Sequence, residues 1–233
     1  MFVPRFVVVM IVIALALGLA YLLNHLLGLQ YDYLADFVDL DGEANLPTWY
    51  ASIEWFGVAA VFWLFAARHV ARSDIRSWFL LLLPAVFLAL SVDEVAGSHD
   101  YLGVLADRLL PNGTREDTLV PQTGLWFLVV GVPFAVGFAT LIGAVFPYLA
   151  SSPRAFIKLI TGMACFLIGA IGIEALSNFV VEGSIQGVGL VLSEELAEMI
   201  GATIVLWGGY ELISDPVERG HPAPSSLSRS GPP

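Results

Sequence analysis

The segment FLLLLPAVFLALSVDEVAGSHD, residues 79–100, indicates both the class of fold and the place where its chemistry lies. Its first fourteen residues contain no charged side chain, and Asp93 and Glu94 then precede Gly97. A helix that crosses the apolar core of a bilayer takes about 20 residues of this kind. We therefore predict a membrane-spanning helix over 77–97 that carries two carboxylates just inside one of its ends.

Five further stretches of the 233-residue chain have the same character. Of all residues, 58% are hydrophobic and only 13% are charged, whereas a soluble domain carries roughly 25% charged residues. Backbone amides in lipid need hydrogen-bond partners within their own segment, and these runs lack the alternation of a transmembrane β-strand. We therefore predict an all-α polytopic membrane protein, a single six-transmembrane-helix bundle over residues 1–213. The predicted spans lie near 4–27, 50–68, 77–97, 124–150, 155–182 and 190–212.

Basic residues indicate the orientation, because Lys and Arg are enriched on the cytoplasmic side of a membrane. They collect at the two chain ends and in alternate loops, whereas the first outer loop holds five acidic residues and no basic one. We expect both termini in the cytoplasm, the protein in the plasma membrane, and a disordered cytoplasmic tail over 214–233, which is rich in Pro, Ser and Gly. The residues that define the cytoplasmic side are Arg5, Arg68, Arg72, Arg76, Arg154, Lys158, Arg219 and Arg229.

Charge and cysteine content exclude several classes of partner and site. The net charge of −11 argues against nucleic acid, whose phosphates need a basic surface. The single cysteine, Cys165, excludes an internal disulfide and a CxxC motif. The expected partners are the lipid bilayer and a lipid or small molecule that enters from the outer face.

Carboxylates within the spans are the candidate functional residues, because ionisable side chains in a bilayer are costly and rarely kept without a role. At a rise of about 1.5 Å per residue, they lie roughly 6 to 12 Å inside the outer boundary of the second, third, fifth and sixth spans. The inner halves of these spans contain no Asp, Glu, Lys, Arg or His. We predict a polar chamber in the outer half of the bilayer, surrounded by these four spans, with the first and fourth nearer its edge. The predicted ligands for a metal ion are Glu54, Asp93, Glu174, Glu194 and Glu198.

Glu194 and Glu198 are four residues apart on one helix face, where two negative charges repel each other. Either one of them retains a proton, or a cation lies between them. Oxygen ligands favour Mg, Ca or Mn, and an added histidine would favour Zn or Fe. We therefore expect a divalent metal of unassigned identity or a shared proton as the occupant of the chamber.

Glu94 and His99 are the candidate acid–base residues. A straight helix points them about 140° apart, at 100° per residue, so we expect either a break at Gly97 or a loop that folds back over the chamber. His25, near the outer end of the first span, is a further candidate. The acidic loop 39–43 is predicted to be solvated, since its glycine is not at the sixth position that an EF-hand requires.

Solvated helix ends are the alternative explanation for some of these carboxylates. Glu54, Glu194 and Glu195 lie in predicted first turns, where acidic residues are favoured. The same explanation does not fit Asp93, near the carboxyl end of a helix, or Glu174, which lies about two turns deep.

Three classes of function remain open from the sequence. A membrane enzyme would use a metal or a proton-sharing pair on a lipidic or outer-face substrate, with the outer segments 28–49 and 98–123 as covers. A cation- or proton-coupled transporter would use the same residues but needs a route through the charge-free inner halves. A non-catalytic subunit or assembly factor would use the carboxylates to pair with a partner helix.

Overall fold

The computed structural model describes residues 3–28, 33–71, 74–110, 115, 118, 120–181 and 183–214, and the predicted tail beyond Ser214 lies outside them. Within these ranges the regular structure is entirely helical. The helices are α1 (Arg5–Leu27), α2 (Tyr33–Phe37), α3 (Leu46–His69), α4 (Leu82–Ala96, preceded by a 3₁₀ segment Ile75–Leu81), α5 (Ser98–Asp107), α6 (Val132–Leu149), α7 (Pro153–Leu167), α8 (Glu174–Ser177) and α9 (Ile185–Ser214). Two π-helical segments extend this set, Phe127–Gly131 before α6 and Ile168–Ile173 between α7 and α8.

Five of these helical units are long and apolar enough to cross a membrane. They coincide with the first five predicted spans, so the helical class and these five spans agree with the sequence prediction. The sixth predicted span coincides with α9, which is 30 residues long, carries four glutamates and is not among these five. The five units are Arg5–Leu27, Leu46–His69, Ile75–Ala96, Phe127–Leu149 and Pro153–Ser177.

The outer surface of the bundle is apolar, as expected for contact with lipid. Large side chains such as Val12, Phe56 and Trp63 are each more than half exposed. Exposed apolar surface on this scale is unusual for a soluble monomer. The core between the helices is also apolar and is built around buried rings such as Trp55 and Phe87.

Helix α9 lies at the centre of the bundle and packs against α1, α3 and α7. Its closest approach is to α7, where Gly201 faces Gly162: a Cβ on Gly201 would lie 2.8 Å from the Gly162 carbonyl oxygen. Gly208 likewise lies against the carbonyl oxygen of Ala155. Small residues let helices approach closely in lipid, where hydrophobic burial does not drive association.

Polar contacts close one end of the bundle, which we call the basic end. The Lys158 ammonium lies 2.7 Å from Glu211 and 4.4 Å from the centre of the Trp207 ring. Arg68 donates to the Ile213 carbonyl at 2.7 Å. These contacts tie α3 and α7 to the end of α9. The opposite end, where α4 ends and α9 begins, contains the candidate site.

Candidate functional site

A chamber of about 290 Å³ lies at the end of the bundle opposite the basic end. Its walls come from the end of α4, the start of α5, the start of α6, the π segment Ile168–Ile173, and α9, and the acidic loop before α3 also borders it. Eight carboxylates and one imidazole line it, and neither lysine nor arginine is among its described lining residues. The ionisable residues are Asp41, Glu43, Asp93, Glu94, His99, Glu174, Glu194, Glu195 and Glu198.

The structure brings together six of the seven predicted site residues and separates the seventh. Glu54 does not line the chamber. It is 1% exposed, and its Oε1 atom lies 2.6 Å from the Thr203 hydroxyl and 2.8 Å from the Tyr50 hydroxyl. The six that line the chamber are Asp93, Glu94, His99, Glu174, Glu194 and Glu198.

The break after α4 places His99 beside Asp93. Gly97 has a φ of 54°, a left-handed conformation that glycine adopts without a Cβ penalty, and it ends α4 and begins α5. The two oxygens of Asp93 then accept the backbone N–H and the Nδ1 atom of His99, both at 3.0 Å. A carboxylate thus orients the imidazole, in agreement with the predicted break at Gly97.

Trp126 joins the two sides of the chamber. Its indole N–H donates to Glu174 Oε1 at 3.1 Å, and its ring lies 5.1 Å from that of His99, between centroids. The fourth span is predicted to lie nearer the edge of the chamber, and this prediction is wrong. The wall of the chamber includes three residues of that span, Trp126, Val130 and Phe134.

Both π-helical segments border the chamber, at Val130 and Gly131 on one side and at Ala170 and Ile171 on the other. A Cβ on Gly131 would lie 3.1 Å from the Ile171 side chain, so the two segments pack directly against each other. A π-bulge adds a residue to a helical turn, and such bulges are frequent at functional sites. Here the second bulge immediately precedes Glu174.

Asn45 holds the acidic loop over the chamber. Its side chain accepts from the backbone N–H of Thr48, as the N-cap of α3, and donates to the carbonyls of Asp39 and Gly42 at 2.5 and 2.7 Å. This folds the loop back, so that Asp41 and Glu43 line the chamber. Both residues are nevertheless exposed, which agrees with the prediction that the loop is solvated.

A second cavity of about 490 Å³, which we call the vestibule, lies beside the chamber and is lined by Tyr21, His25 and the segment 121–123. The vestibule and the chamber share Glu174 and Glu194 among their lining residues. His25 thus belongs to the vestibule and not to the chamber. Its Nδ1 atom lies 3.2 Å from the Tyr21 carbonyl oxygen.

Glu174 and Glu194 carry carboxyl groups that border both cavities. Glu194 is 9% exposed, which limits the contribution of water to screening its charge. Carboxylates gathered in one chamber repel one another unless some of them hold protons or a cation lies among them.

The described residues do not form a conventional metal site. Within the part of the chain that the structure describes, no three His, Cys, Asp or Glu side chains converge closely enough to hold a metal ion. Metal binding is thus not supported by this geometry, and the predicted ligand set remains a prediction.

Comparison with known proteins identifies the family but not an activity. A family model described as "Domain of unknown function (DUF8692)" matches residues 5–213, which is most of the chain and includes every helix described above. No curated protein and no solved structure matches the chain. The chain therefore belongs to the DUF8692 family.

Proposed function

We propose that this member of the DUF8692 family is a six-span membrane protein whose chamber binds a proton or a cation from the outer face. The observation that carries the proposal is a chamber lined by eight carboxylates and by no described lysine or arginine, in which Glu194 is only 9% exposed. Like charges at close range in a medium of low dielectric constant repel strongly unless protons or a cation neutralise part of them. Because the described lining of the chamber contains neither lysine nor arginine, a bound proton or cation must neutralise part of this negative charge.

In the proposed topology, α9 is the sixth span and both termini are cytoplasmic, so the chamber lies in the outer leaflet of the plasma membrane. The basic end and the arginines near it support this orientation. Labelling of single cysteines in a Cys165→Ser background tests it. We expect a cysteine at Asp39 to react with an impermeant reagent from outside, and one at Ser151 to react only after permeabilisation. The reverse pattern would contradict the orientation.

We propose an enzyme as the leading class, because Asp93 orients His99 at the chamber wall. The imidazole of His99, oriented by Asp93, is the first acid–base candidate, and Glu94 on the same wall is the second. A carboxylate that fixes the tautomer and orientation of an imidazole is a common arrangement in acid–base catalysis. The proposed substrate is lipidic or approaches from the outer face.

A cation- or proton-coupled transporter is the alternative. It is less favoured because the chamber floor, which includes Phe134 and Phe166, lies on the apolar core that fills the rest of the bundle. Flux into proteoliposomes that is lost in Glu174→Gln would favour the transporter. A third class, a non-catalytic subunit, would be favoured by a co-purifying partner with arginines in its membrane spans.

Equilibrium binding to the full-length protein in nanodiscs tests the proposed chamber. We expect radiolabelled tetramethylammonium to bind, with at least a tenfold loss of affinity in Glu194→Gln and no loss in Asp36→Asn, since Asp36 is exposed and outside the chamber. Elemental analysis of the same samples tests for a divalent metal. Stoichiometric metal that Glu194→Gln removes would replace the organic cation as the occupant. Absence of both metal and tetramethylammonium, with no proton uptake assigned to the chamber, would refute the proposal.

A further inference from the structure

An apolar groove opens toward the lipid next to the chamber. It has a volume of about 550 Å³ and lies between α5 and the start of α6. Several of its side chains are about half exposed, among them Leu102, Leu105 and Val129. The other residues used below are Leu109, Val130 and Pro133. A groove of this composition faces acyl chains when the bundle is in a bilayer.

Val130 lies in the wall between the groove and the chamber and lines both. It belongs to the π segment before α6, whose next residue, Gly131, packs against Ile171 across the chamber. On the chamber side, the neighbours of Val130 along the floor are also apolar, among them Phe134 and Leu167. The apolar surface therefore continues from the chamber floor past Val130 to the lipid-facing groove.

The two cavities differ in charge and in size. The chamber is strongly acidic, so its occupant is expected to be positively charged where it meets the carboxylates. Its volume of about 290 Å³ is at the lower end of the range of small-molecule sites, roughly 300 to 1,000 Å³. Such a volume holds a head group and leaves no room for a long chain. The groove has the apolar character and the volume that a chain needs.

We propose that the ligand of the chamber is an amphiphile from the outer leaflet, with a cationic amine or quaternary ammonium head and an apolar chain. The head lies among the carboxylates and beside the aromatic surface of Trp126, which suits a quaternary ammonium group. The chain passes Val130 and lies in the groove between α5 and α6. This inference rests on the proposed cation-binding function and adds the class of ligand and its route of entry.

Chain dependence of binding tests the proposal in nanodiscs, with empty nanodiscs as the correction for partitioning into lipid. Decyltrimethylammonium is expected to bind at least tenfold more tightly than tetramethylammonium after that correction. Decyl maltoside, which has the same chain and no charge, is expected not to compete. Equal affinities for the two ammonium ions, or full competition by the maltoside, would overturn the proposal.

Two substitutions in the groove locate the chain. Leu102→Trp and Leu105→Trp are each expected to reduce the affinity for decyltrimethylammonium to that for tetramethylammonium, while tetramethylammonium binding stays unchanged. Both residues line the groove and neither lines the chamber, so each variant serves if the other does not fold. Val136→Trp is the matched control, because Val136 is 61% exposed on α6 and lies outside the groove. Unchanged affinity in both groove variants would refute the placement of the chain.

The outcomes separate this inference from the function on which it rests. If tetramethylammonium binds and Glu194→Gln abolishes its binding, but the decyl chain adds nothing, the cation chamber stands and the amphiphile is refuted. If neither ammonium ion binds and no proton exchange is assigned to the chamber, both proposals fail.

Discussion

Glu54 is expected to be a neutral carboxylic acid, because an ionised carboxylate in the apolar interior is costly. The Tyr50 hydroxyl lies 2.7 Å from the Met10 carbonyl oxygen and 2.8 Å from Glu54 Oε1. A hydroxyl has one proton and donates to one of these oxygens at a time, and a protonated Glu54 that donates to Tyr50 completes the count of hydrogens. Thr203 donates to the same carboxyl oxygen at 2.6 Å. The described surroundings of Glu54 include no basic partner that would stabilise a negative charge.

Glu54→Gln tests this directly, because the amide is neutral and nearly the same size and can donate to Tyr50 in place of the acid. We expect the free energy of unfolding to change by less than about 1 kcal/mol. Glu54→Ala removes two hydrogen bonds, each worth roughly 0.6 kcal/mol in a membrane protein, and also leaves a cavity. Together these effects are expected to cost roughly 2 to 4 kcal/mol. Thr203→Val, which removes one donor and keeps the shape, is expected to lie between the two.

Reversible unfolding in mixed micelles measures these differences, and infrared spectroscopy measures the protonation state. The carbonyl stretch of a protonated carboxylic acid lies above the amide band, and we expect one such band to disappear in Glu54→Gln. A strong gain in stability in Glu54→Gln would show that the variant removes a buried charge and would refute the count. A loss as large as that in Glu54→Ala, with no change in the infrared band, would refute it as well.

Three further predictions concern packing and the ends of the bundle. Gly201→Ala is expected to destabilise by roughly 2 kcal/mol in a thermal or denaturant titration, since the new Cβ would lie 2.7 Å from a backbone nitrogen of α7. Gly137→Ala is the control, because a Cβ at this position on α6 would have nothing within 4 Å, and it should be neutral or stabilising by up to about 1 kcal/mol. An equal loss of stability in the two variants would contradict the close packing of α7 against α9. Gly124→Ala is expected to loosen the loop around residue 124, because this residue has a φ of 68° and lies against the Asp107–Arg115 ion pair. Hydrogen exchange should become faster in this loop, and unchanged exchange would argue against strain at residue 124. The hydrogen bond from Tyr148 holds the pKa of Asp74 below its ordinary value. The stabilisation from this contact is therefore complete above the unfolded pKa of about 3.9, and it is lost as the pH falls through the lower pKa of the folded protein. Tyr148→Phe should remove that acid-side dependence from the melting temperature, and an unchanged profile would contradict the contact.

The sequence predicts the helices well because apolar length is a direct requirement of the bilayer. The position of Glu174 and Glu194 at one end of the bundle also follows from counting residues along the predicted spans, and both side chains line the chamber. Helical geometry likewise required a break between Glu94 and His99, which the structure places at Gly97.

The remaining features depend on packing that a single sequence does not encode in its periodicity. Nothing in the pattern of the fourth span predicts that Trp126 donates a hydrogen bond to Glu174. Glu54 does not line the chamber, because its side chain points from α3 to Thr203 on α9. Depth along a helix was predictable, and rotation about the helix axis was not.

Proton release on cation binding tests the central proposal most directly. Full-length protein in weakly buffered nanodiscs is titrated with tetramethylammonium, and the released protons are counted with a pH indicator. We predict release by the wild type and by Asp36→Asn, and little or none by Glu194→Gln, because the cation is proposed to displace protons held by the carboxylates of the chamber. Saturating exposure to the cation with no proton release, or equal release from Glu194→Gln and the wild type, would contradict a cation- or proton-binding chamber at these residues.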